Sequence, residues 1–306
     1  MKLTYFQGNP PNFGDELNAT MWSHLLPADF LNDDESELFL GIGSILWDYL
    51  PKSPRKFVAG SGFGGYTSPP DIHDGSWTVL WVRGPLTAQK LGLNKNLAIT
   101  DSAVLLRHTP LPPPAENIGV AFMPHFESVE RGAWAEVCKV AGITFLDPRA
   151  PVEELLAKIL GARLVITEAM HGAIVSDALR RPWIGVAPFH NVHREKWNDW
   201  AMSLDINLRS HLVPSSNLRE SWTVHTGLLS QGKRSRVILE NIAVKPINTA
   251  MAYRAATALS HLAERVEPQM SSDVAINKAT ELSLERLHSF VSARSSKHTA
   301  DRLART

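Results

Sequence analysis

Short apolar runs alternate with helical patterns over the first two-thirds of the chain. Before residue 112, apolar runs of strand length occur at 3–6, 37–46, 56–65, 78–82 and 97–106. Apolar positions three and four residues apart predict helices at 15–26 and 85–93, the second with Pro85 in its first turn, where proline is tolerated. Strands separated by helices or long crossovers favour a mainly parallel sheet that is covered on both faces.

A proline-rich segment at 108–117 interrupts this alternation and predicts an extended linker. The pattern then restarts, with predicted strands at 117–125 and 143–148, helices at 132–143 and 151–162, and a strand, turn, helix and strand over 163–186. Two such halves predict an α/β fold of two Rossmann-like domains, at 1–112 and 113–215, which face a cleft.

The last part of the chain has a different character. Helical patterns rich in alanine, leucine, glutamate and arginine at 251–266 and 276–295 predict a largely helical C-terminal extension over 216–306. The final segment carries Arg294, Lys297, Arg302 and Arg305 against Asp301. A solvated tail accounts for this charge, and contact with an anionic membrane surface or a partner is the alternative.

Composition excludes several classes of protein. Basic and acidic residues both number 31 and no RNA- or DNA-binding motif is present, so we expect no nucleic-acid partner. The longest apolar run, at 38–47, is shorter than the roughly 20 residues of a membrane span. The amino terminus also lacks the apolar stretch of a signal peptide. We therefore expect a cytoplasmic protein, with association to the cytoplasmic face of the inner membrane left open.

Residue spacing does not indicate a metal, cofactor or disulfide. His190 and His193 are close in sequence, but no HExxH pattern or cysteine cluster accompanies them, so we expect no metal site. The glycine-rich stretch at 60–65 lacks the dinucleotide-binding pattern and favours a loop that lets a ligand approach the backbone. The single cysteine, Cys138, lies at an apolar-periodic position, which predicts buried packing.

Polar residues follow several predicted strands, at the sheet edge where open α/β proteins bind their ligands. This rule gives a set of candidate substrate-binding residues: Asn12, Gly14, Asp101, Ser102, His125, Glu168 and Gly172. The same edge supplies three candidate catalytic residues: His171, Arg83 and Asp15. Helix capping or an internal hydrogen bond is the alternative for each side chain in these sets.

His171 is the strongest single candidate because it lies between a strand and the start of an alanine-rich helix. The helix dipole disfavours an imidazolium there, which suits a neutral acid or base or a phosphate donor. A core histidine that bonds to the backbone is the alternative. Glu168 is positioned in the sequence to orient His171 as a neighbouring carboxylate.

Arg83 and Asp15 are the charged candidate catalytic residues, one positive and one negative. An arginine at the end of an apolar strand is costly unless it meets an anion, so Arg83 suits a phosphate or carboxylate, with an internal pair to Asp101 as the alternative. Asp15 stands in the stretch NFGDELN, where a helix begins. It is a capping residue, or it contacts a sugar or takes a proton from a sugar hydroxyl.

Six stretches in order resemble the polysaccharide pyruvyl transferases, and within them the bacterial exopolysaccharide, succinoglycan-type branch. They are NFGDELN, SELFLGIGSIL, RGPLTA, TDSAVLL, MPH and TEAMHGAIVSDALRRPWIGV. The resemblance covers about residues 1–210. It implies a GT-B-like pair of Rossmann-like domains with the active site between them.

The resemblance also implies a reaction. A pyruvyl group passes from phosphoenolpyruvate to two hydroxyls of one sugar in a lipid-linked oligosaccharide, which forms a cyclic ketal and releases phosphate. His171 and Arg83 match the residues proposed to handle the donor in that family. Two alternatives stay open: a GT-B glycosyltransferase that uses a nucleotide-sugar, and a sugar- or phosphate-binding protein without catalysis.

Overall fold

A computed structural model describes residues 1–187, 191–226 and 242–303. At 191–193, 242 and 297–303 it describes the backbone and not the side chains. The two histidines considered as metal ligands, His190 and His193, therefore lie outside the described side chains. The same holds for Lys297, Arg302 and Arg305, so both interpretations of the tail, a solvated segment and contact with a membrane or partner, stay untested.

The first sheet has four parallel strands in the order β1-β2-β3-β4. They are β1 (Lys2–Thr4), β2 (Glu37–Leu40), β3 (Arg55–Ala59) and β4 (Trp77–Trp81). Helix α1 (Phe13–Leu25) follows β1, and α2 (Pro85–Lys90) follows β4 with its proline in the first turn. The predicted strands and helices of this region are confirmed, apart from one strand.

The predicted strand at 97–106 is wrong. The chain forms 3-10 turns at Lys95–Leu97 and Ser102–His108, and a single parallel bridge between Val82 and Ala98 is what joins it to β4. The side chain of Asp101 accepts a hydrogen bond from the backbone N–H of Ala103 and so caps the 3-10 helix. This favours the helical turn over a β-strand. A buried apolar run of this length does not distinguish a strand from a buried turn of helix.

The second sheet has five parallel strands in the order β6-β5-β7-β8-β9. They are β5 (Val120–Met123), β6 (Thr144–Phe145), β7 (Leu164–Thr167), β8 (Trp183–Val186) and β9 (Ser210–His211). The helices of this part are α3 (Phe126–Arg131), α4 (Trp134–Ala141), α5 (Val152–Gly161), α6 (Met170–Ala178), α7 (Asn191–Ser203) and α8 (Leu218–Thr226). The α/β class with parallel sheets is thus confirmed, and α8 falls in the extension predicted to be helical, whereas β9, α3 and α7 were not predicted.

The two sheets share one apolar core. Phe13 from α1, Leu105 from the 3-10 turn and Ile174 from α6 belong to the same buried cluster. A backbone hydrogen bond of 2.7 Å from Phe13 N to the carbonyl of Pro148 also crosses between the halves. This shared core brings the start of α1 against the start of α6, which is where the candidate site lies.

The C-terminal region is helical, as predicted, and packs on both sheets. Helix α9 (Lys245–Arg265) buries Ala255 and Leu259 in the apolar cluster that also contains α4 and the second sheet. Helix α10 (Asp273–Leu303) returns to the first half, where Phe290 lies 5.0 Å from Phe57 between ring centroids. In the part of the chain that the structure describes, no helix is long and apolar enough to cross a membrane.

Candidate active site

A cleft of about 520 Å³ opens where α1 and α6 begin. Six of the residues predicted from the sequence line it: Asn12, Gly14, Asp15, His125, Glu168 and His171. Four others lie outside its lining: Arg83, Asp101, Ser102 and Gly172. The volume is in the range of small-molecule sites, and the lining comes from both halves of the chain.

Asp15 lies in the first turn of α1 with its carboxylate at the cleft. Nδ2 of Asn12 donates to its Oδ2 at 2.7 Å, and the carbonyl of Asn12 accepts from the backbone N–H of Asp15 at 3.0 Å. Burial raises the pKa of the Asp15 carboxyl above its usual value, while the bond from Asn12 and the nearby His171 oppose this shift. A carboxylate with a raised pKa is a stronger base, so Asp15 is suited to accept a proton.

His171 lies in the first turn of α6, directly over Gly14 of α1. A Cβ atom at position 14 would lie 2.0 Å from Nδ1 of His171, so only glycine leaves room for the imidazole there. The side chain of His171 is 12% exposed, with its remaining surface buried at the cleft. The glycine in NFGDELN and the histidine in TEAMHGAIV therefore form one contact between the two halves.

The carboxylate that faces His171 belongs to Asp101. Oδ2 of Asp101 lies 3.7 Å from Nε2 of His171, and Asp101 is fully buried. Within the described structure neither of these two atoms has a hydrogen-bond partner. Glu168 instead accepts a hydrogen bond of 2.9 Å from the backbone N–H of His125, at the start of α3, and burial raises the pKa of Glu168. The orienting role predicted for Glu168 thus falls geometrically to Asp101.

Lys196 is a cleft residue that the sequence analysis missed. It projects from α7, and its Nζ donates to the hydroxyl of Tyr66 at 2.5 Å. Burial lowers the pKa of the Lys196 ammonium to about 7, and repulsion from Arg83 adds to this, while Asp15 and Glu127 oppose it. An ammonium in this position supplies positive charge for an anionic ligand.

Arg83 is fully buried beside the cleft, and its partner is Asp199 rather than Asp101. Its Nε lies 3.0 Å from Oδ2 of Asp199, its Nη1 donates to the hydroxyl of Ser44, and its Nη2 donates to the carbonyl of Phe63. Asp199 comes from α7, so this ion pair joins the two halves. The guanidinium is engaged by protein groups at all three nitrogens.

The RGPLTA stretch forms a binding site for Asp199. The Asp199 carboxylate accepts hydrogen bonds from the backbone N–H groups of Leu86 and Thr87 and from the Thr87 hydroxyl. The Asp199 side chain thereby caps the start of α2. A Cβ atom at Gly84 would lie 2.0 Å from the Asp199 carbonyl oxygen, so glycine permits this close approach. Lys196 lies one helical turn before Asp199, so the same contacts position the turn of α7 that carries Lys196.

Comparisons with known proteins show the family of the chain. The family model described as polysaccharide pyruvyl transferase matches residues 12–191, from the start of α1 to the start of α7. The chain belongs to the polysaccharide pyruvyl transferase family. It is a transferase, as the sequence predicted. No solved structure matches the chain.

A relative of this pyruvyl transferase is the succinoglycan biosynthesis protein ExoV of Rhizobium meliloti (strain 1021). The two are 40% identical over 224 residues, which cover 72% of this chain and 70% of that protein. The matched family segment contains Asp15, Asp101 and His171, whereas Lys196 and Asp199 lie a few residues beyond its end.

The glycine-rich loop after β3 in this transferase accommodates the protein's own side chains. Cβ atoms at Gly60, Gly62 and Gly64 would lie 2.0, 2.1 and 2.7 Å from atoms of Ser102, Arg83 and Tyr66. The hydroxyl of Ser102 donates to the carbonyl of Ala59, so Ser102 holds the 3-10 turn against β3. The prediction that this loop admits a ligand stays untested.

Gly172, His125 and Cys138 complete the predicted set. A Cβ atom at Gly172 would lie 2.3 Å from Oγ1 of Thr167, so this glycine packs α6 against the end of β7. His125 lies at the cleft with Nδ1 3.6 Å from an oxygen of Glu127. Cys138 is buried as predicted, and burial raises the pKa of its thiol to about 12. Among the described residues no group of histidine, cysteine and carboxylate side chains is arranged to hold a metal ion.

Proposed function

We propose that this pyruvyl transferase moves a pyruvyl group from phosphoenolpyruvate to two hydroxyls of one sugar in an exopolysaccharide repeat unit, forming a cyclic ketal and releasing phosphate. The observation that carries the proposal is the convergence of Asp15, His171 and Lys196 on one cleft. A base, an imidazole and a cation are the groups that this chemistry requires. The relative named for succinoglycan biosynthesis supports an exopolysaccharide acceptor.

The two parallel sheets support a GT-B-like arrangement for this reaction. The loop after β1 and the start of α1 contribute Asn12 and Asp15, and the loop after β7 with α6 contributes Glu168 and His171. Ligands of open α/β sheets bind beyond the carboxyl ends of the strands, which both sets of residues follow. We propose that the donor and the acceptor meet between these two edges.

The donor is an anion at both its phosphate and its carboxylate. Lys196 is the lysine in the described lining of the cleft, and His125 and His171 supply further donors of hydrogen bonds to an anion. Arg83 was expected to bind the donor directly. Because protein groups already occupy its three nitrogens, we propose that Arg83 acts as a positioning residue for Ser44 and α7.

The reaction balances with two proton-transfer groups. The methylene carbon of phosphoenolpyruvate gains a proton, and the first sugar hydroxyl adds to the central carbon as it loses its own proton. Phosphate then leaves with the electron pair of its carbon–oxygen bond, and the second hydroxyl adds and loses its proton. One released proton replaces the proton spent on the methylene carbon, and the other leaves with phosphate.

We assign His171 as the acid that protonates the methylene carbon and Asp15 as the base for the attacking hydroxyl. Asp101 faces His171 at 3.7 Å and would stabilise the imidazolium before it gives up the proton. The raised pKa of Asp15 matches its role, because a base works best when its pKa lies near the working pH. No cofactor or metal enters this scheme.

The acceptor in this proposal is a lipid-linked oligosaccharide, which places the enzyme at the cytoplasmic face of the inner membrane. The test is to incubate the protein with phosphoenolpyruvate and lipid-linked oligosaccharides, with phosphate release and the mass of the glycan as readouts. The expected result is a pyruvyl mass increment in step with phosphate. Transfer of a sugar from a nucleotide-sugar in its place would show a glycosyltransferase, and binding without turnover would show a receptor.

A further inference from the structure

Three consecutive strand-exit loops of the first sheet bring aromatic rings to the cleft. Phe6 follows β1, Trp47 and Tyr49 follow β2, and Tyr66 follows β3. Phe6, Tyr49 and Tyr66 are 46%, 65% and 52% exposed. Exposed aromatic residues that gather in a concave site indicate a binding surface, whereas single exposed rings scattered over a protein are common and indicate nothing.

Trp47 and Tyr49 form a flat surface. Their ring centroids are 5.1 Å apart and their planes are inclined by 13°, so the two rings stack nearly parallel. Trp47 is half-buried, and Tyr49 leaves most of its surface open. A ring that is held by a stacked neighbour on one side offers a rigid face to a ligand on the other side.

Tyr66 connects this aromatic wall to the charged part of the cleft. A Cβ atom at Gly64 would lie 2.7 Å from the Tyr66 ring, so the ring rests against the glycine loop. Its hydroxyl accepts a hydrogen bond from Lys196, and Lys196 interacts in turn with Asp15. The aromatic surface is therefore continuous with the groups to which the transfer reaction is assigned.

We propose that the Trp47–Tyr49 pair is a sugar-binding platform, which holds a residue of the acceptor chain next to the sugar that receives the pyruvyl group. The inference rests on the proposed function of the cleft. A pyranose ring has an apolar C–H face and a rim of hydroxyl groups. The C–H face can pack on an aromatic ring while the hydroxyl groups stay in contact with water. The cleft of about 520 Å³ is larger than a three-carbon donor requires, which leaves space for a sugar at this wall.

A neutral glycan is the occupant that the charges favour. The two stacked rings carry no charge, and the carboxylate of Asp48 acts on Tyr49 and disfavours an anion there. Lys196 and the histidines of the lining supply the positive charge for an anionic donor. The acceptor thus approaches from the aromatic wall while the donor occupies the charged wall. The platform sets the chain length that the enzyme prefers, because it contacts a sugar that does not react.

The test compares Tyr49→Ala and Trp47→Ala with Tyr49→Phe, which keeps the ring. The control Tyr253→Ala removes an exposed tyrosine on α9 that does not line the cleft. The acceptors are oligosaccharides of graded length from succinoglycan, stripped of ketals by mild acid, and a methyl glycoside of one sugar. The expected result is a KM for the long acceptors raised roughly tenfold in the alanine variants, with the KM for phosphoenolpyruvate and kcat unchanged. Tyr49→Phe and Tyr253→Ala should behave as the wild type, and the methyl glycoside should not distinguish any of the variants.

A binding measurement separates this inference from the proposed function. The oligosaccharides are titrated without donor. Tryptophan fluorescence is followed in the wild type and in the variants that retain Trp47, and calorimetry is used for Trp47→Ala. Weaker binding in Tyr49→Ala with no ketal formed by the wild type would support the platform and overturn the function. Normal acceptor KM and normal binding in both alanine variants would overturn the platform even if ketal forms.

Discussion

Nε2 of His171 lies 3.7 Å from Oδ2 of Asp101, and within the described structure neither atom has a hydrogen-bond partner. The second oxygen of Asp101 accepts a hydrogen bond of 2.9 Å from the backbone N–H of Ala103, which fixes the carboxylate. Asp101 is thereby placed to accept a hydrogen bond from Nε2–H and to stabilise the charged form of His171.

Asp101→Asn should lower kcat roughly 100-fold, because the amide no longer stabilises the imidazolium. The asparagine oxygen still accepts the bond from Ala103, so the free energy of unfolding should stay close to that of the wild type. Steady-state kinetics over a range of pH and a denaturant titration check both quantities. Wild-type turnover in a folded Asp101→Asn variant would show that the carboxylate does not act on His171.

Gly14→Ala should remove activity through the same contact. The new methyl group would lie 2.0 Å from Nδ1 of His171, so the imidazole must move. Displacement of a catalytic group by about 1 Å lowers turnover roughly 100-fold. The matched control is Gly119→Ala, where a Cβ atom meets nothing within 4 Å and activity should be retained. Equal activity in the two alanine variants would contradict the assigned position of His171.

Lys196 should make donor binding depend on pH. Its pKa of about 7 means that it is an ammonium below pH 7 and a neutral amine above it, so the KM for phosphoenolpyruvate should rise as the pH passes upward through this value. Loss of a hydrogen bond to a charged group weakens binding by about tenfold or more. The measurement is the KM for the donor at a series of pH values.

Two variants test whether Lys196 causes the change of donor KM with pH. Lys196→Arg keeps its positive charge at every pH used and should lose the rise in KM above neutrality. Lys196→Met lacks the charge and should have a high donor KM throughout. A rise in KM that persists unchanged in Lys196→Arg would assign it to another group.

Removing one partner of the buried Arg83–Asp199 pair should strongly destabilise the protein. Asp199→Asn leaves the Arg83 guanidinium without its counter-charge in a fully buried position, which costs about 3–5 kcal/mol of unfolding free energy. Denaturant unfolding monitored by circular dichroism measures this quantity. The exposed pair of Lys158 and Glu154 is the control, and Glu154→Gln should cost about 0.5 kcal/mol or less. Similar losses in the two variants would mean that burial does not set the strength of the Arg83 pair.

Much of the fold was predictable because the spacing of apolar residues along the sequence determines which faces of a strand or helix are buried. The parallel strands near 37, 56, 120 and 164 are nearly continuous apolar runs, which is the pattern of strands covered on both faces. The run at 97–106 has the same composition but forms a 3-10 turn, since Asp101 caps it and Ser102 bonds to Ala59. Polar side chains within this run thus decided its structure, which the apolar pattern alone did not.

The candidate site was predictable where it follows a strand and not where it depends on a distant helix. Asp15, His125 and His171 come after strands, so the rule of strand ends placed them at the cleft. Lys196 and Asp199 lie on α7, and their partners Tyr66 and Arg83 are more than a hundred residues away in the chain. The local sequence around a residue does not indicate a partner that is so distant in the chain. The anion partner of Arg83 could be foreseen as a carboxylate, but its identity required the packing of the two halves.

The most direct test of the central claim is phosphate release by His171→Ala in the presence of phosphoenolpyruvate and a lipid-linked oligosaccharide. The proposal that His171 is the acid predicts a rate at least about 100-fold below the wild type, with no pyruvyl mass increment in the glycan. His24→Ala, which changes an exposed histidine of α1, should release phosphate at the wild-type rate. Near-normal phosphate release by a folded His171→Ala variant would contradict the account.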